Sequence, residues 1–216
     1  MNTAVEAWDA ARAAAEAAGI MLRPLASPGD ADLVRSLVAE VWGDESMPRA
    51  LVVAFQHAGA ILYGAEAPSG TIGFVLGFAG LDGGLHLHSH MLAVSPGWQS
   101  RGVGYALKLA QRAACLDQGV EEVRWTYDPL VAKNAWINLV KLGAWGARFL
   151  PDFYGEMPDL INRGDASDRF EVRWRLSSAR ALRAVRGSAE PPRGGGPVLV
   201  AAEGDPASPA PLETGE

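Results

Sequence analysis

The spacing of apolar positions predicts mostly helices in the first part of the chain. An alanine-rich helix spans Thr3–Ala18 and ends at Gly19. Its predicted inner face carries Val5, Trp8, Ala11 and Ala15. A short strand follows over Ile20–Leu25, and the turn Ser27–Asp30 is suited to cap a second helix. That helix has apolar residues at Leu33, Leu37 and Val41, and a third helix is predicted over Arg49–His57.

Period-two alternation replaces the helical spacing in the middle of the chain. It predicts strands over Ala60–Glu66, Thr71–Phe78 and Leu85–Val94, joined by glycine-containing turns that suit hairpins. Helices and strands then alternate. They are predicted over Gly102–Asp117 (helix), Glu121–Tyr127 (strand), Val131–Leu142 (helix), Ala144–Leu150 (strand) and Asp168–Leu176 (strand). Because such crossovers are right-handed and parallel, the turn before Gly102 should lie beside the strand Glu121–Tyr127.

The composition narrows the class of protein. A net charge of −6 and a pI near 5.3 argue against a nucleic-acid partner. Cys115 is the only cysteine, which excludes an intrachain disulfide and a thiolate metal cluster. No apolar run reaches the length of a membrane span and no secretory core is visible, so we predict a cytoplasmic protein without membrane partners. A homodimer is compatible with the sequence.

Three regions are predicted along the chain: an N-terminal helix (1–19), one α/β domain (20–176) and a flexible tail rich in proline and glycine (177–216). The tail has one apolar run, Val198–Val200, which could add a single strand.

The most informative motif is the spacing Gln99-x-x-Gly102-x-Gly104, which follows a strand ending in Ala93-Val94 and opens a helix. A helix start presents unpaired N–H groups and a partial positive charge, and glycines allow a ligand close to the backbone. We therefore predict a phosphate site, the alternative being glycines that serve the turn alone. A dinucleotide loop would need a third glycine where Leu107 stands.

Several other segments share a pattern with this loop. They are Leu22-Arg23-Pro24-Leu25, Val41-Trp42-Gly43, Ser89-His90-Met91-Leu92-Ala93-Val94, Leu107-Lys108 with Gln111-Arg112, Trp125-Thr126-Tyr127-Asp128-Pro129-Leu130, Lys141-Leu142-Gly143-Ala144, Tyr154-Gly155-Glu156-Met157, Asn162-Arg163-Gly164 and Ser167-Asp168-Arg169. With the loop, they resemble the GNAT acyltransferase superfamily, and within it a branch of predicted acetyltransferases, from about Ile20 to Leu176. The resemblance implies a mixed, mostly antiparallel α/β sheet with helices on both faces. A parallel strand–helix–strand unit would form the cofactor cleft.

The resemblance also implies the cofactor, acetyl-CoA or another acyl-CoA, and the residues that hold it. They are Leu92, Ala93, Val94, Gln99, Ser100, Arg101, Gly102, Val103, Gly104, Tyr105, Asn134 and Asn138. The backbone N–H of Val94 would donate to the thioester carbonyl in a cleft where two strands part. Asn134 and Asn138 lie one turn apart and would hydrogen-bond the pantetheine or the acceptor. Asn134 could instead cap its helix.

Three histidines, His86, His88 and His90, are predicted on one face of the fourth strand, together with Leu92 and Val94. A histidine there could accept the proton of an attacking amine at neutral pH. The resemblance points to His88 by position and to His90 by its Ser-His pair. These residues could instead be polar groups on a half-exposed strand, or chelate a metal, although no resident metal is predicted.

The usual acid of the family, a tyrosine in the helix before the glycine matched by Gly143, is replaced by Leu139. Either another group protonates the leaving thiolate, or no acid is needed, since a thiol with a pKa of about 8.5 leaves readily. Tyr154 and Tyr127 are the candidate acids, and both could instead be structural. Asp128, Arg163 and Arg169 are candidate acceptor-binding residues. Asp128 could equally cap a helix, and the two arginines could form surface ion pairs.

Three functions remain open from the sequence. The first is an acetyl-CoA-dependent N-acetyltransferase that acts on a small-molecule amine, such as an amino acid derivative, by direct transfer in a ternary complex. The second is a non-catalytic acyl-CoA-binding or regulatory module of the same fold. The third, a histidine-metal hydrolase, accounts only for the histidines.

Overall fold

The computed structural model describes residues 3–43, 47–155 and 167–188, with two short strands at 202–203 and 210–211. The helices are α1 (Thr3–Ala17), α2 (Pro28–Trp42), α3 (Arg49–His57), α4 (Val103–Asp117), α5 (Ala132–Ala135) and α6 (Ala179–Val185). The strands are β1 (Met21–Pro24), β2 (Ile61–Ala67), β3 (Gly70–Gly80), β4 (His86–Val94), β5 (Glu122–Tyr127), β6 (Trp145–Leu150), β7 (Arg169–Arg175), β8 (Ala202–Glu203) and β9 (Ala210–Pro211). A π-helical segment, Trp136–Lys141, continues α5.

One seven-stranded sheet organises the domain, in the order β1-β2-β3-β4-β5-β7-β6. Every neighbouring pair is antiparallel except β4 and β5, which are parallel. The strand order and the parallel pair confirm the fold class predicted from the sequence. β8 and β9 pair with each other.

Helices cover both faces of the sheet. On one face α1 and α4 enclose a core that includes Leu107, Val123 and Trp174. On the other, α2 and α3 pack on β2–β4 around Phe74 and Leu76. None of the helices among the described residues is both long and apolar enough to cross a bilayer.

The inner face of α1 differs from the prediction. Ala11 and Ala15 are buried as predicted, but Val5 is 52% exposed, and Ala4 and Ala7 complete the buried face. Small side chains let α1 approach α4 closely, so the alanines and not the largest residue face inward. Trp8 lies at the edge, where its indole N–H donates to Asp117 at 2.5 Å.

The second helix begins as predicted but turns a shifted face inward. Ser27 caps it, because the Ser27 hydroxyl accepts from the Asp30 N–H and the Asp30 carboxylate accepts from the Ser27 N–H. Leu33 is 38% exposed, and the buried positions are Ala31, Val34, Leu37 and Val38.

The segment after β7, predicted to begin the tail, contains a helix that the sequence reading missed. In α6, Ala181 and Ala184 are buried, and Arg180 donates to the carbonyls of Leu139 and Gly143. This helix therefore packs beside the end of the π-helical segment. The run Val198–Val200 lies outside the described residues, and the flexibility of the remaining tail stays a prediction.

Candidate functional site

A β-bulge in β4 decides which side chains face which side of the sheet. Leu76 pairs with Met91 and Gly77 with Ser89, so His90 is an extra residue without a partner on β3. His88 and His90 both contact the Phe78 ring, on the side covered by α2 and α3.

The bulge also corrects the sequence prediction about that face. Leu92 and Val94 pack with the α1–α4 core, on the opposite side from the histidines, because the extra residue breaks the alternation. His86 is buried at the start of the strand, where a ring nitrogen lies 2.9 Å from the Gly84 carbonyl. It therefore takes no part in the site.

Just beyond this point, β4 and β5 part. Their parallel pairing is limited to Leu87 with Val123 and His88 with Arg124. The gap opens into a cleft of about 320 Å³ between the two strands and α4. Its lining residues are Trp42, Ser89, His90, Met91, Leu92, Gly104, Lys108, Trp125, Thr126, Tyr127, Asn134, Ile137 and Asn138.

Backbone donors of β4 are directed into this gap. The Ser95 N–H donates to Ile72 on β3, at 2.8 Å. In an antiparallel ladder such pairs alternate, so the N–H groups of Leu92 and Val94 point away from β3 and toward the side that β5 has left. The Val94 side chain itself is buried and lies outside the cleft lining.

The glycine turn meets the cleft at the start of α4. Ser100 and Gly102 both have positive φ, 64° and 89°, and Gly102 occupies the N-cap without a side-chain cap. The first N–H groups of α4 are therefore available to an external anion. Gly104 lines the cleft and has a helical backbone, so its conformation does not require glycine.

Side chains around the turn hold its shape. The Gln99 amide donates to the Val94 carbonyl at 3.1 Å, and the Arg101 guanidinium lies 5.3 Å from the Trp98 ring. Lys133, at the start of α5, donates to the Ser100 hydroxyl at 2.9 Å. This lysine places a cation at the turn, and the sequence reading missed it because the contact joins segments 33 residues apart.

The other predicted cofactor residues divide into two groups. Ala93 is buried in the core under α2 and α3, and Val103 in the core under α1 and α4, so only their backbone atoms could meet a ligand. The half-buried Tyr105 packs on the α1–α4 side. Asn134 and Asn138 both line the cleft. Val131 is the N-cap of α5 and no side chain caps it, which removes the capping alternative for Asn134.

Lys108 is a cleft residue that the resemblance includes, in the pair Leu107-Lys108, but to which the sequence analysis gave no role. It is 6% exposed and lines the cleft from α4, where its Nζ donates to the Ser89 hydroxyl at 2.7 Å and to the Gln111 amide oxygen at 3.4 Å. The Nζ atom also lies 3.9 Å from the centre of the Trp125 ring. Burial lowers the pKa of Lys108 to about 7. The signal in the sequence that could have identified Lys108 is its position one helical turn after Gly104.

The histidines have lowered pKa values. Burial lowers the pKa of His88, and the positive charges of His90 and His86 lower it further. Desolvation by neighbouring groups also lowers the pKa of His90. Both rings are therefore neutral at pH 7, which is the form that accepts a proton.

The remaining predicted residues lie toward the outer strands. The Tyr154 hydroxyl lies 3.2 Å from the Thr126 hydroxyl, and Thr126 lines the cleft. Asp128 accepts from the Leu130 N–H at 2.8 Å, which is a local turn contact. The Arg169 guanidinium donates to the Asp168 carbonyl and lies 5.5 Å from the Tyr154 ring. Arg163 lies outside the described residues.

The described residues include no group of three or more histidine, cysteine, aspartate or glutamate side chains arranged to hold a metal ion. His88 and His90 are 6.1 Å apart between ring centres, and His86 is turned toward Gly84. The geometry thus gives no support to the metal-hydrolase reading.

Comparison with solved structures places this geometry in a known fold. The ribosomal-protein-S18-alanine N-acetyltransferase of Escherichia coli superposes with a TM-score of 0.61 at 15% identity, over 74% of this chain and 96% of that one. A Salmonella typhimurium protein, yncA, solved with its cofactor acetyl-CoA, gives 0.59 at 16% identity, over 74% and 96%. Arabidopsis thaliana Naa50 with the bisubstrate analogue CoA-Ac-MVNAL gives 0.56 at 14% identity, over 72% and 97%.

No protein-family model matches the chain, and no curated protein matches it. At these identities the solved structures establish the fold, which confirms that part of the resemblance seen in the sequence. The branch suggested by the shorter segments stays a prediction.

Proposed function

We propose that this chain, which has the fold of the GNAT acetyltransferases, is an acetyl-CoA-dependent N-acetyltransferase that acylates the amine of a small molecule. The observation that carries the proposal is the cleft between β4 and β5, which runs from the uncapped start of α4 to a set of titratable side chains. The acetyl-CoA in yncA and the bisubstrate analogue in Naa50 support the same use of the fold.

The residues at the turn fit an acyl-CoA. The α4 start offers free N–H groups and a partial positive charge to a diphosphate, and Lys133 and Arg101 add cations beside it. Gly104 has a helical backbone conformation that does not require glycine. Its missing side chain therefore leaves room for a ligand at the mouth of the cleft. Asn134 and Asn138, on one wall of the cleft, offer amide donors and acceptors to the pantetheine arm.

Acyl-CoA supplies an activated acyl group as a thioester. The N–H groups of Leu92 and Val94 point into the gap and would donate to the carbonyl oxygen of that group, where negative charge develops during attack. The narrow cleft would hold amine and thioester together, which by itself lowers the barrier.

His90 would accept the proton of the attacking amine, because it lines the cleft and is neutral at pH 7. His88 lies beside it on the same face and is the second candidate base. Tyr154, the candidate acid from the sequence, lies beside the cleft residue Thr126, and Arg169 and Arg163 remain candidate contacts of the acceptor. Asp128 is the weaker candidate, because one of its carboxylate oxygens is used by the Leu130 N–H.

The replacement of the helix tyrosine by Leu139 favours a second candidate, a non-catalytic acyl-CoA-binding module. Calorimetry with acetyl-CoA, CoA and NAD, followed by thiol release with a panel of amines, separates the two. We expect acetyl-CoA to bind and at least one small amine to release CoA. Tight acetyl-CoA binding without release by any amine would favour the binding module. NAD binding without CoA binding would overturn both.

A further inference from the structure

Lys108 is a buried lysine in the cleft. It is neither the proposed base nor part of the turn proposed to bind the diphosphate, so the proposed function gives it no role. Its hydrogen-bond partners, the Ser89 hydroxyl and the Gln111 amide, are both neutral. The Gln111 amide nitrogen itself is buried without a partner. A buried ammonium held only by neutral groups is costly for the fold, and such groups concentrate at functional sites.

The position of Lys108 matches the far end of a CoA thioester. The phosphate turn lies at the start of α4, and the cleft extends from Gly104 along β4 to Ser89. Lys108 lies one helical turn after Gly104, and its Nζ reaches Ser89 at that far end. A pantetheine arm that leaves the turn and follows the cleft therefore ends beside this ammonium.

Lys108 and His90 occupy opposite faces of the sheet and meet at the same gap. His90 contacts Phe78 on the side of α2 and α3, whereas Lys108 reaches the gap from α4. An amine that binds on the α2–α3 side would lie near His90, and a thiolate that leaves on the α4 side would lie near Lys108. Two separate groups suit this proton balance, because one proton leaves the amine on one side of the gap while another joins the sulfur on the other side.

We infer that Lys108 is the general acid of the reaction, which gives an Nζ proton to the sulfur of CoA as the carbon–sulfur bond breaks. The bonding electron pair stays on the sulfur, and the proton converts the thiolate to a thiol. Lys108 is then neutral and regains a proton from water, and His90 releases the amine proton to water. This inference rests on the proposed function.

The surroundings of Lys108 suit this role. The titratable groups around it are Cys115 on α4, His88 and His90 on β4, and Tyr127 on β5. Burial raises the pKa of Cys115 to about 12 and raises that of Tyr127, so both are neutral at pH 7. The Trp125 ring favours the protonated lysine through its face, while burial favours the neutral form. Both forms of Lys108 are thus populated near pH 7.

The first test measures the thiol pKa of bound CoA, which needs no acceptor. Thiolate absorbance is followed against pH in the CoA complex, with the desulfo-CoA complex as the blank. We expect the bound thiol pKa to be about one unit lower in the native chain than in Lys108→Met. Lys141→Met removes an exposed lysine and should leave the thiol pKa as in the native chain.

A second measurement uses the native chain alone. Its three lysines, Lys108, Lys133 and Lys141, allow each side-chain signal to be assigned by NMR after lysine labelling. The pKa of Lys108 should rise when CoA binds and rise less when desulfo-CoA binds. This result does not depend on how well a Lys108 variant folds.

Turnover provides the third readout. Lys108→Met should lower kcat about 100-fold, keep the KM for acetyl-CoA within about threefold, and remove the fall of kcat above pH 7. Lys108→Cys treated with 2-bromoethylamine restores an ammonium of nearly the same length and should regain activity. Cys115 is spared because it is buried with a raised pKa.

The outcomes separate this inference from the proposed function. If CoA binds but its thiol pKa is the same in the native chain and in Lys108→Met, Lys108 is not the acid and the cofactor assignment stands. An equal Lys108 pKa with CoA and desulfo-CoA would overturn the inference in the same way. If CoA does not bind the native chain, the proposed function fails and the inference fails with it.

Discussion

Gly104 faces Leu92 across the mouth of the cleft, and a Cβ placed on Gly104 would meet Leu92 Cδ2 at 3.4 Å, an ordinary contact with a flexible side chain. Since Gly104 also has a helical backbone, the protein's own packing does not require glycine there. Gly102 differs, because its φ of 89° lies where only glycine is unstrained.

This difference predicts opposite effects of two alanine substitutions. Gly104→Ala should keep or raise the free energy of unfolding, by up to about 0.5 kcal/mol, while it weakens acetyl-CoA binding. Gly102→Ala should lower the free energy of unfolding by about 1 kcal/mol. Urea denaturation and calorimetry measure both. Unchanged acetyl-CoA affinity in Gly104→Val, which carries a larger side chain, would contradict the placement of the diphosphate.

Lys133 should contribute to cofactor affinity through its charge. Lys133→Met removes the contact with Ser100 and a cation at the turn, so the Kd for CoA should rise a few fold, and less so at high salt. Arg12→Met is the matched control, since it removes an exposed cation on α1 that pairs with Asp9, one turn away on the same helix. Equal effects of the two substitutions on the Kd would show that Lys133 acts through the net charge of the protein and not through its position at the turn.

The histidines predict a pH dependence of stability. Their pKa values are lower in the folded chain than in the unfolded one, so the unfolded state binds more protons as the pH falls below about 6.5. The free energy of unfolding should therefore decrease from pH 6.5 downward, until the pH passes below the folded pKa values. His88→Gln and His90→Gln should each flatten this slope. A slope that stays the same in the double variant would assign the decrease to other groups.

The same histidines predict an effect on catalysis. His90→Gln should lower kcat by about 100-fold with little change in the Kd for acetyl-CoA, because the ring would act on the amine and not on the cofactor. We expect a smaller loss in His88→Gln, since His88 does not line the cleft. A fall in acetyl-CoA affinity that accounts for the whole loss would exclude a base role for His90.

Gly143 predicts a strong effect on stability at the edge of the site. Its φ is 69°, and a Cβ there would lie 2.8 Å from the Arg180 carbonyl and 2.9 Å from Ala184 Cβ in α6. Gly143→Ala should lower the free energy of unfolding by about 3 kcal/mol. Gly146→Ala is the control, because it would meet nothing within 4 Å. Similar urea midpoints for both variants would contradict the packing of α6 on this turn.

Much of the architecture could be predicted because local patterns in the sequence carry it. The helix at Arg49–His57 and the strand–helix–strand unit after the glycine turn agree with the structure to within a few residues. Alternation and helical spacing are short-range signals, and Ser27 with Asp30 or the glycine pair mark element ends directly. The cleft position also followed, since a parallel crossover fixes where the turn lies.

What could not be predicted depends on contacts between distant segments. The predicted face of α1 was wrong at Val5, because the buried alanines are selected by close packing against α4, which the local sequence pattern does not show. The bulge at His90 was missed because a strand sequence does not show where its partner lacks a residue. Lys108 looks like an ordinary helical lysine until β4 and β5 are in place around it.

The unpaired residue His90 changes how positions of β4 correspond to faces of the sheet when they are counted backward from the glycine turn. Positions from Met91 to Val94 keep their phase relative to the turn, whereas positions up to Ser89 are offset by one. Deleting His90 would therefore restore a regular ladder, because Ser89 would directly precede Met91 and both would keep their partners, Gly77 and Leu76, on β3. Ser89 would stay beside Lys108 and His88 beside Phe78, so the deletion would take the proposed base out of the cleft and leave the hydroxyl partner of the lysine in position.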